Sequence, residues 1–536
     1  MWQQIYLPIG GNLAASALVA GLPIVTLLLM LGVFRKPAWM AGLTGLATAI
    51  AVSLFGYGMP APAVFSSVAY GAAFGLLPIG WIVFSAILLY RITLETGNFE
   101  IVKNSIGNLT PDRRLQALLI AFAFGAFIEG AAGFGSPVAV AAAMLTGLGF
   151  SPFYAAGICL LANTAPVAFG SIGIPVTTLA LTTGLPVREL SAQVGRLCAP
   201  LSFFVPSYLM LVMGGWKALR GVLPAALLCG AAFAGLQYLV SNFLGAELVD
   251  ITSSLAAIGS LVILFKFWKP KDTFQLEGEV STAQEKIHYT GAQLFRAWLP
   301  YLLLVVFVLI WGEKDVKAYL NTYTVNIPWP GLHNMVERIA PAVPKPAPYA
   351  AMYAFSWLSA SGTSCLFAGI VAAFCLGVSP KKFGGMLVTT SKQLALSLLT
   401  IASVLGLAFL MNYSGATATL GLAFASTGPT FPFFSAMLGW LGVFLTGSDT
   451  SANALFGNLQ VVTANSLGLD PVLMASANSS GGVMGKMISL QSIAVAAAAT
   501  GMKAADEAKL FRFTLRHSVF LATLIGLLTV LYAYVL

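Results

Sequence analysis

The sequence predicts an all-α polytopic membrane protein of about 12–14 transmembrane helices, built as two inverted repeats with broken or re-entrant helical hairpins. Three observations lead there. Of 536 residues, 58% are hydrophobic and only 8% charged, with a mean hydropathy of +0.88; a soluble chain carries roughly 25% charged residues to wet its surface. At about 20 residues per crossing, the length leaves room for that number of helices. Finally, glycine and proline concentrate in residues 125–186 and 428–485, one region in each half. Broken backbone at membrane depth is tolerated only where protein buries it or a water-filled cavity meets it. Soluble enzymes, nucleic-acid binders and secreted disulfide scaffolds are excluded, and no catalytic residues are expected.

The elements follow from the charges between them. Residues 13–34 are an apolar run closed by Arg35 and Lys36; 38–55 returns, and 76–90 ends on Arg91. Cytoplasmic loops collect Lys and Arg, so with Arg35 inside, the basic stretch 91–114 is inside too and the N-terminus is external. Lys217 and Arg220 lie inside; 222–243 then runs out to an acidic turn with Glu247 and Asp250. Residues 249–265 come back to Lys266, Lys269, Lys271, Lys286 and Arg296, and 298–311 leads out to a Pro-rich loop. Lys381, Lys382 and Lys392 mark the inside again, as do Lys503, Lys509, Arg512 and Arg516, so a last helix over 519–536 leaves the C-terminus outside. The chain divides into an N-terminal half (1–268), a cytoplasmic connection (269–296) and a C-terminal half (297–536). The start has no basic n-region and no cleavage site, so the first apolar stretch is read as a retained helix. The net charge of +9 has the same positive-inside origin and does not call for nucleic acid.

The halves can be aligned. Phe127-Ile128-Glu129-Gly130 parallels Phe444-Leu445-Thr446-Gly447, and Ala162-Asn163-Thr164 parallels Ala477-Asn478-Ser479. Gly170 follows Asn163 by seven residues, as Gly485 follows Asn478. Paired interruptions of this kind point to a transport site at the interface of internal repeats.

Glu129 is the sharpest residue. It ends the run 115–128, whose only polar member is Gln116. Counted from Arg114, fifteen helical residues rise about 22 Å into a core about 30 Å thick. Acids at that depth face a cavity or a partner, and Glu129 is assigned to proton coupling; a tilted short helix bringing it to the interface is the plainer alternative. The stretch Gly130-Ala131-Ala132-Gly133-Phe134-Gly135-Ser136-Pro137 breaks the helix and starts another, with Ser136 suited to the cap and Pro137 to the first turn. Amides there could cradle a carboxylate, which assigns Gly133, Gly135 and Ser136 to substrate. Thr450, Ser451 and Asn453 hold the matching place in the second half. Asp449 is either a second proton site or a plain N-cap. Asn163 with Thr164, and Asn478 with Ser479, offer amides and hydroxyls that suit a hydroxy acid, or simply join helices. Lys486 is the lone basic residue between Lys392 and Lys503; it either neutralises a bound monoanion or snorkels to an interface. The cysteines (159, 198, 229, 365 and 375) sit singly in apolar stretches and read as small buried hydrophobes. His288, His333 and His517, placed in loops or at a helix start, have no zinc-site company, so no metal and no cofactor is expected.

These motifs, namely Phe127-Ile128-Glu129-Gly130-Ala131-Ala132-Gly133-Phe134-Gly135-Ser136-Pro137, Leu161-Ala162-Asn163-Thr164-Ala165-Pro166, and Gly447-Ser448-Asp449-Thr450-Ser451-Ala452-Asn453, resemble the bacterial L-lactate permease family over essentially the whole chain. The resemblance implies proton-coupled uptake of L-lactate, with D-lactate and glycolate, across the bacterial cytoplasmic (inner) membrane, with both termini periplasmic. It also implies kinship with ion-coupled carboxylate transporters in which Ser-Asn-Thr segments at hairpin tips hold the substrate. Here Ala162 and Ala477 stand where the leading Ser would be, a departure that weakens that correspondence. The partners are then a small monocarboxylate, protons and membrane lipid; monomer and homodimer both stay open. Two rival functions fit the residues less well. A proton-conducting subunit of a redox complex would need a longer chain of buried Lys, Glu and His, and a sodium-coupled dicarboxylate carrier more buried cations than Lys486.

Overall fold

The structure is a computed structural model describing residues 1–107, 109–133, 136–272, 274, 288–341, 343, 345–502 and 504–536. The first half holds α1 (Leu13–Gly32), α2 (Ala38–Gly56), α3 (Ala61–Glu95), α4 (Asn98–Gly107) and α5 (Arg113–Ala131). It continues with α6 (Ser136–Gly147), α7 (Pro152–Ala162), α8 (Val167–Thr183), α9 (Val187–Phe243) and α10 (Val249–Phe267). Then come α11 (Gly291–Gly312), α12 (Lys314–Asn321), α13 (Ser361–Cys375), α14 (Pro380–Ser414) and α15 (Ala416–Thr446). The chain closes with α16 (Asp449–Leu467), α17 (Pro471–Ile488), α18 (Leu490–Thr500) and α19 (Ala504–Tyr534). Five short strands cover one face: β1 (Trp2–Gln3), β2 (Val325–Pro328), β3 (Val336–Arg338), β4 (Ala347–Pro348) and β5 (Met352–Phe355). β1 runs parallel to β3, β3 pairs antiparallel with β4, and β2 with β5, so the N-terminus is tied to the 325–355 connection.

Among the described residues, ten helices are long and apolar enough to cross a membrane, or twelve if each bent pair counts as one span. The bent pairs are α7 with α8, at 64°, and α17 with α18, at 42°. Helix starts recur in one pattern, a capping side chain followed by proline. Ser151 caps the turn before Tyr154, Ser379 the turn before Lys382 and Asp470 the turn before Val472, each with Pro next. The side chain satisfies an orphan amide and proline has no amide to lose.

Several expectations need correction. The span expected at 76–90 is the second part of α3, which begins at Ala61 and loses helical geometry at Leu77. α9 has 57 residues, about 85 Å if straight and nearly three core thicknesses; it instead departs from helical geometry at Gly214, Gly215 and Val222, beside Lys217 and Arg220. The last helix starts at Ala504, not residue 519, so His517 lies mid-helix, 2.7 Å from the Tyr208 hydroxyl. Cys375 is exposed, while the other four cysteines are buried. Lys286 and Lys503 fall outside the described residues.

The centre of the molecule is α5, buried along its whole length and wound as π-helix over residues 117–124. Such wide turns shift the register of a side chain at the helix end and concentrate at functional sites. At its start Arg114 is fully buried between Asp112 (2.7 Å) and Asp272 (2.8 Å), over the ring of Phe274. α10, α6, α8 and α9 pack directly on α5; elsewhere α8 lies along α16 and α15 against α17, while α2 and α3 pack along α14. α15 and α17 approach so closely that a methyl group at Gly481 would collide with the Ala436 carbonyl, as small residues permit in membrane helices.

Candidate functional site

α5 ends where its sequence turns to glycine and alanine: Ala132 leaves helical geometry and Gly133 takes φ +57°. Glu129, two residues from the helix end, is only 4% exposed. Asn163, the C-cap of α7, donates from Nδ2 to its Oε2 at 3.1 Å; Asn163 Oδ1 is buried with no partner among the described residues. The start of α8 lies over the acid. Ser171 and Ile172 both have positive φ (+47° and +61°), and for a β-branched residue this is a strained conformation of the kind that persists at functional sites. Gly170 is required by close approach, since a Cβ there would lie 2.7 Å from Glu129 Oε1. Ser171 Oγ donates to the Ala132 carbonyl at 3.0 Å, joining the two broken segments.

The second half builds the opposite wall. α15 stops at Gly447 (φ +71°), and Ser448 caps α16 by accepting from Ser451 N at 3.2 Å. Ser448, not Asp449, is therefore the cap. Asp449 is 3% exposed, and its Oδ2 accepts from Ser479 Oγ at 2.6 Å and Asn453 Nδ2 at 3.3 Å. The network continues inward: Asn478 Nδ2 donates to Asn453 Oδ1 (2.9 Å), and Gln460 Nε2 donates to Asn478 Oδ1 (3.1 Å). Asn453 also reaches the Pro175 carbonyl of α8 at 3.1 Å, so the network spans both halves. Lys486, in the last turn of α17, donates from Nζ to the Gly447 carbonyl at 2.7 Å. No carboxylate lies within ion-pair distance of it among the described residues.

Between the walls is a cavity of about 90 Å³ bordered by Glu129, Gly170, Ser171, Asp449, Thr450 and Lys486, with Gln491 and Ser492 of α18. Drug-sized ligands occupy roughly 300–1,000 Å³, so this space suits a ligand of a few heavy atoms. Its ionisable groups are two carboxylates and one ammonium, and the N-terminus of α16 borders it with Ser448 and Thr450, which favours an anion.

Of the residues singled out from sequence, Glu129, Asp449, Thr450 and Lys486 border this cavity, and Asn163 reaches it through Glu129. Asn453, Asn478 and Ser479 form the network behind Asp449. Gly133 packs against Ser171 Oγ, Thr164 turns its hydroxyl to the Leu161 carbonyl at 2.8 Å, and Ser451 serves the cap of α16. Gly135 and the side chain of Ser136 lie outside the described residues. Four polar residues were not singled out: Ser171, Gln460, Gln491 and Ser492. Asp250 requires correction. Placed by the sequence in an acidic turn between two spans, it is 1% exposed in the first turn of α10, both carboxylate oxygens without a partner among the described residues. Its Cβ sits where a side chain at Gly130 would go.

Comparison with known proteins identifies the family. A family model described as L-lactate permease matches residues 16–536. The L-lactate permease of Bacillus subtilis (strain 168) is 49% identical, the match covering 100% of this chain and 99% of that protein. Glycolate permease GlcA of Escherichia coli (strain K12) is 46% identical over 100% of this chain and 98% of its own. The L-lactate permease of Salmonella typhimurium is 45% identical over 100% and 99%. The chain belongs to the L-lactate permease family, and is a multi-pass membrane transporter rather than an enzyme.

Proposed function

We propose that the protein takes up L-lactate, together with D-lactate and glycolate, across the bacterial cytoplasmic membrane in symport with protons. The observation that carries the reading is the charge set at the small buried cavity: Glu129, Asp449 and Lys486 around about 90 Å³. With all three ionised the walls carry one net negative charge. A monocarboxylate placed beside Lys486 would raise this to two. Like charges ~5 Å apart at an effective dielectric constant near 20 repel by about 3 kcal/mol, roughly a hundredfold in affinity. A proton on Glu129 removes that repulsion, so anion and proton load together. Lys486 and the α16 N-terminus hold the carboxylate, while Thr450, Ser171 and Gln491 offer partners for the 2-hydroxyl.

In this account both termini are periplasmic, and residues 1–268 and 297–536 act as inverted repeats joined by 269–296. In each, a span ends in a glycine break beside an acid (Glu129, Asp449) and a bent helix pair follows. Those two bent pairs supply Gly170 and Lys486 to the same cavity, which supports the pairing. The test is uptake of radiolabelled L-lactate into proteoliposomes with an imposed inward proton gradient. Accumulation that a protonophore abolishes is expected; accumulation driven by sodium, or indifferent to pH, would overturn proton coupling.

A further inference from the structure

A second cavity, of about 390 Å³, lies on the face that carries the N-terminus and the short strands, bordered by Arg338, Tyr349, Asn412, Asn458 and Asn465. We propose that it is a binding site for a small 2-hydroxycarboxylate, an antechamber from which the acid passes to the cavity at Glu129 and Lys486; this rests on the transport reading above.

Among the described residues lining the cavity, Arg338 is the one that carries a charge at neutral pH, whereas the larger cavity of about 740 Å³ at Glu247 mixes Arg188, Lys314 and Lys317 with Glu247 and Glu313. The guanidinium lies over the Tyr349 ring, 4.5 Å from its centroid. Its Nε is buried without a hydrogen-bond partner, and among the described residues no carboxylate pairs with it. An arginine held over an aromatic ring still presents its planar fork of donors, which fits a carboxylate in two-point contact. Leaving such a group half-buried and unpaired is costly, and an anionic ligand removes that cost.

The amides of the cavity suit the same ligand. Asn412 Nδ2 donates to the Thr182 carbonyl at 3.2 Å, and Asn458 Nδ2 to Asn412 Oδ1 at 3.0 Å. Both amides are thereby oriented, and the Asn458 carbonyl oxygen, which has no bond among the described residues, remains as an acceptor for a hydroxyl. A carboxylate fork with a nearby hydroxyl acceptor matches a 2-hydroxy acid.

The two cavities are bordered by the same helix pair. α8 contributes Pro175 to the inner and Thr182 to the outer; α16 contributes Asp449 to the inner and Asn458 to the outer. Seven and nine residues of helix separate them, about 10–14 Å. Thr182 Oγ1 bonds the Asn453 carbonyl at 3.4 Å, and Asn453 holds Asp449. The outer site, with a single positive charge, gathers the anion; the inner, with two acids, accepts it only together with a proton.

The test uses the full-length chain in proteoliposomes. Arg338→Gln is expected to raise the KM for L-lactate about tenfold, the loss of a charge-assisted contact, with a smaller change in maximal rate; Arg338→Lys restores part of it. Asn465→Asp, at an exposed position on the rim, keeps the fold intact and raises KM by repulsion, an effect that added salt reduces. In equilibrium binding of radiolabelled L-lactate to the purified chain, Lys486→Met retains one class of site and Lys486→Met with Arg338→Gln retains none. A wild-type KM in both Arg338→Gln and Asn465→Asp, or loss of all binding in Lys486→Met alone, would overturn the antechamber. Absence of lactate flux through the wild-type chain would instead overturn the transport reading on which it rests.

Discussion

Replacing Lys486 by methionine isolates the electrostatic part of substrate binding. The stem keeps nearly the same shape, so packing in the last turn of α17 is preserved while the charge goes. Nζ uses one of its three donors on the Gly447 carbonyl, which leaves two for a carboxylate. Hydrogen bonds to charged groups contribute about 1.5–3 kcal/mol net, and with both lost the expected cost is about 3 kcal/mol, a little over a hundredfold in affinity. The loss also leaves Glu129 and Asp449 at the cavity without a cation, which adds in the same direction. The assay is the initial rate of L-lactate uptake by proteoliposomes over a wide concentration range, with thermal unfolding as the check on folding. A KM at least thirtyfold above wild type with an unchanged unfolding midpoint is expected. A KM within threefold of wild type would contradict a substrate contact and reduce Lys486 to a tether for the carbonyl at the end of α15.

Two further outcomes follow from the packing and the charges. Gly170→Ala places a methyl group 2.7 Å from Glu129 Oε1 and 3.2 Å from its Cγ, an overpacking that costs about 1–3 kcal/mol and displaces the acid. Uptake is expected to fall at least tenfold while the protein still folds. Gly259→Ala, with nothing within 4 Å, is neutral or stabilising by up to ~1 kcal/mol, and thermal unfolding with uptake on both variants checks the contrast. In the connection after α10, the hydrogen bond from Arg114 holds the Asp272 carboxyl below its ordinary range, Lys217 adding to it. A depressed folded value means that the pairing stabilises the fold above the unfolded value of about 4 and is lost as pH falls through the folded one. The unfolding midpoint of wild type should therefore drop more steeply between pH 5 and 3, in round figures, than that of Asp272→Asn, measured in detergent; parallel curves would contradict the pairing.

What could be read from sequence was what depends on local chemistry. An acid after fourteen nearly unbroken apolar residues, a lone lysine among glycine and methionine, and glycine clusters that stop helices all carry their signal within one segment. Glu129, Lys486 and Asp449 all border one cavity. What escaped depends on tertiary contact. Asp250 looks like a loop acid because charge counting places it between two spans, and only the packing of α10 on Gly130 buries it. Ser171 carries no pattern of its own; its position over Ala132 comes from a left-handed turn that two non-glycine residues would not be expected to make. Arg114 reads as a cytoplasmic charge at a helix start, yet Asp272, far along the chain, covers it. The first part of α3 was missed for the opposite reason: its serines and glycines dilute the apolar signal, although Ser67 bonds within the helix to the Ala63 carbonyl.

Proton coupling stands or falls on Glu129 as the carrier of the proton that accompanies the anion. The most direct measurement loads proteoliposomes with a pH-sensitive dye and adds L-lactate outside at equal pH, for wild type and Glu129→Gln. Glutamine can still accept the Asn163 hydrogen bond, so the site keeps its shape. Wild type is expected to acidify the lumen on lactate addition, with the rate saturating as labelled lactate enters. Glu129→Gln is expected to exchange labelled for unlabelled lactate without acidification. Undiminished lactate-dependent acidification in Glu129→Gln would contradict the claim.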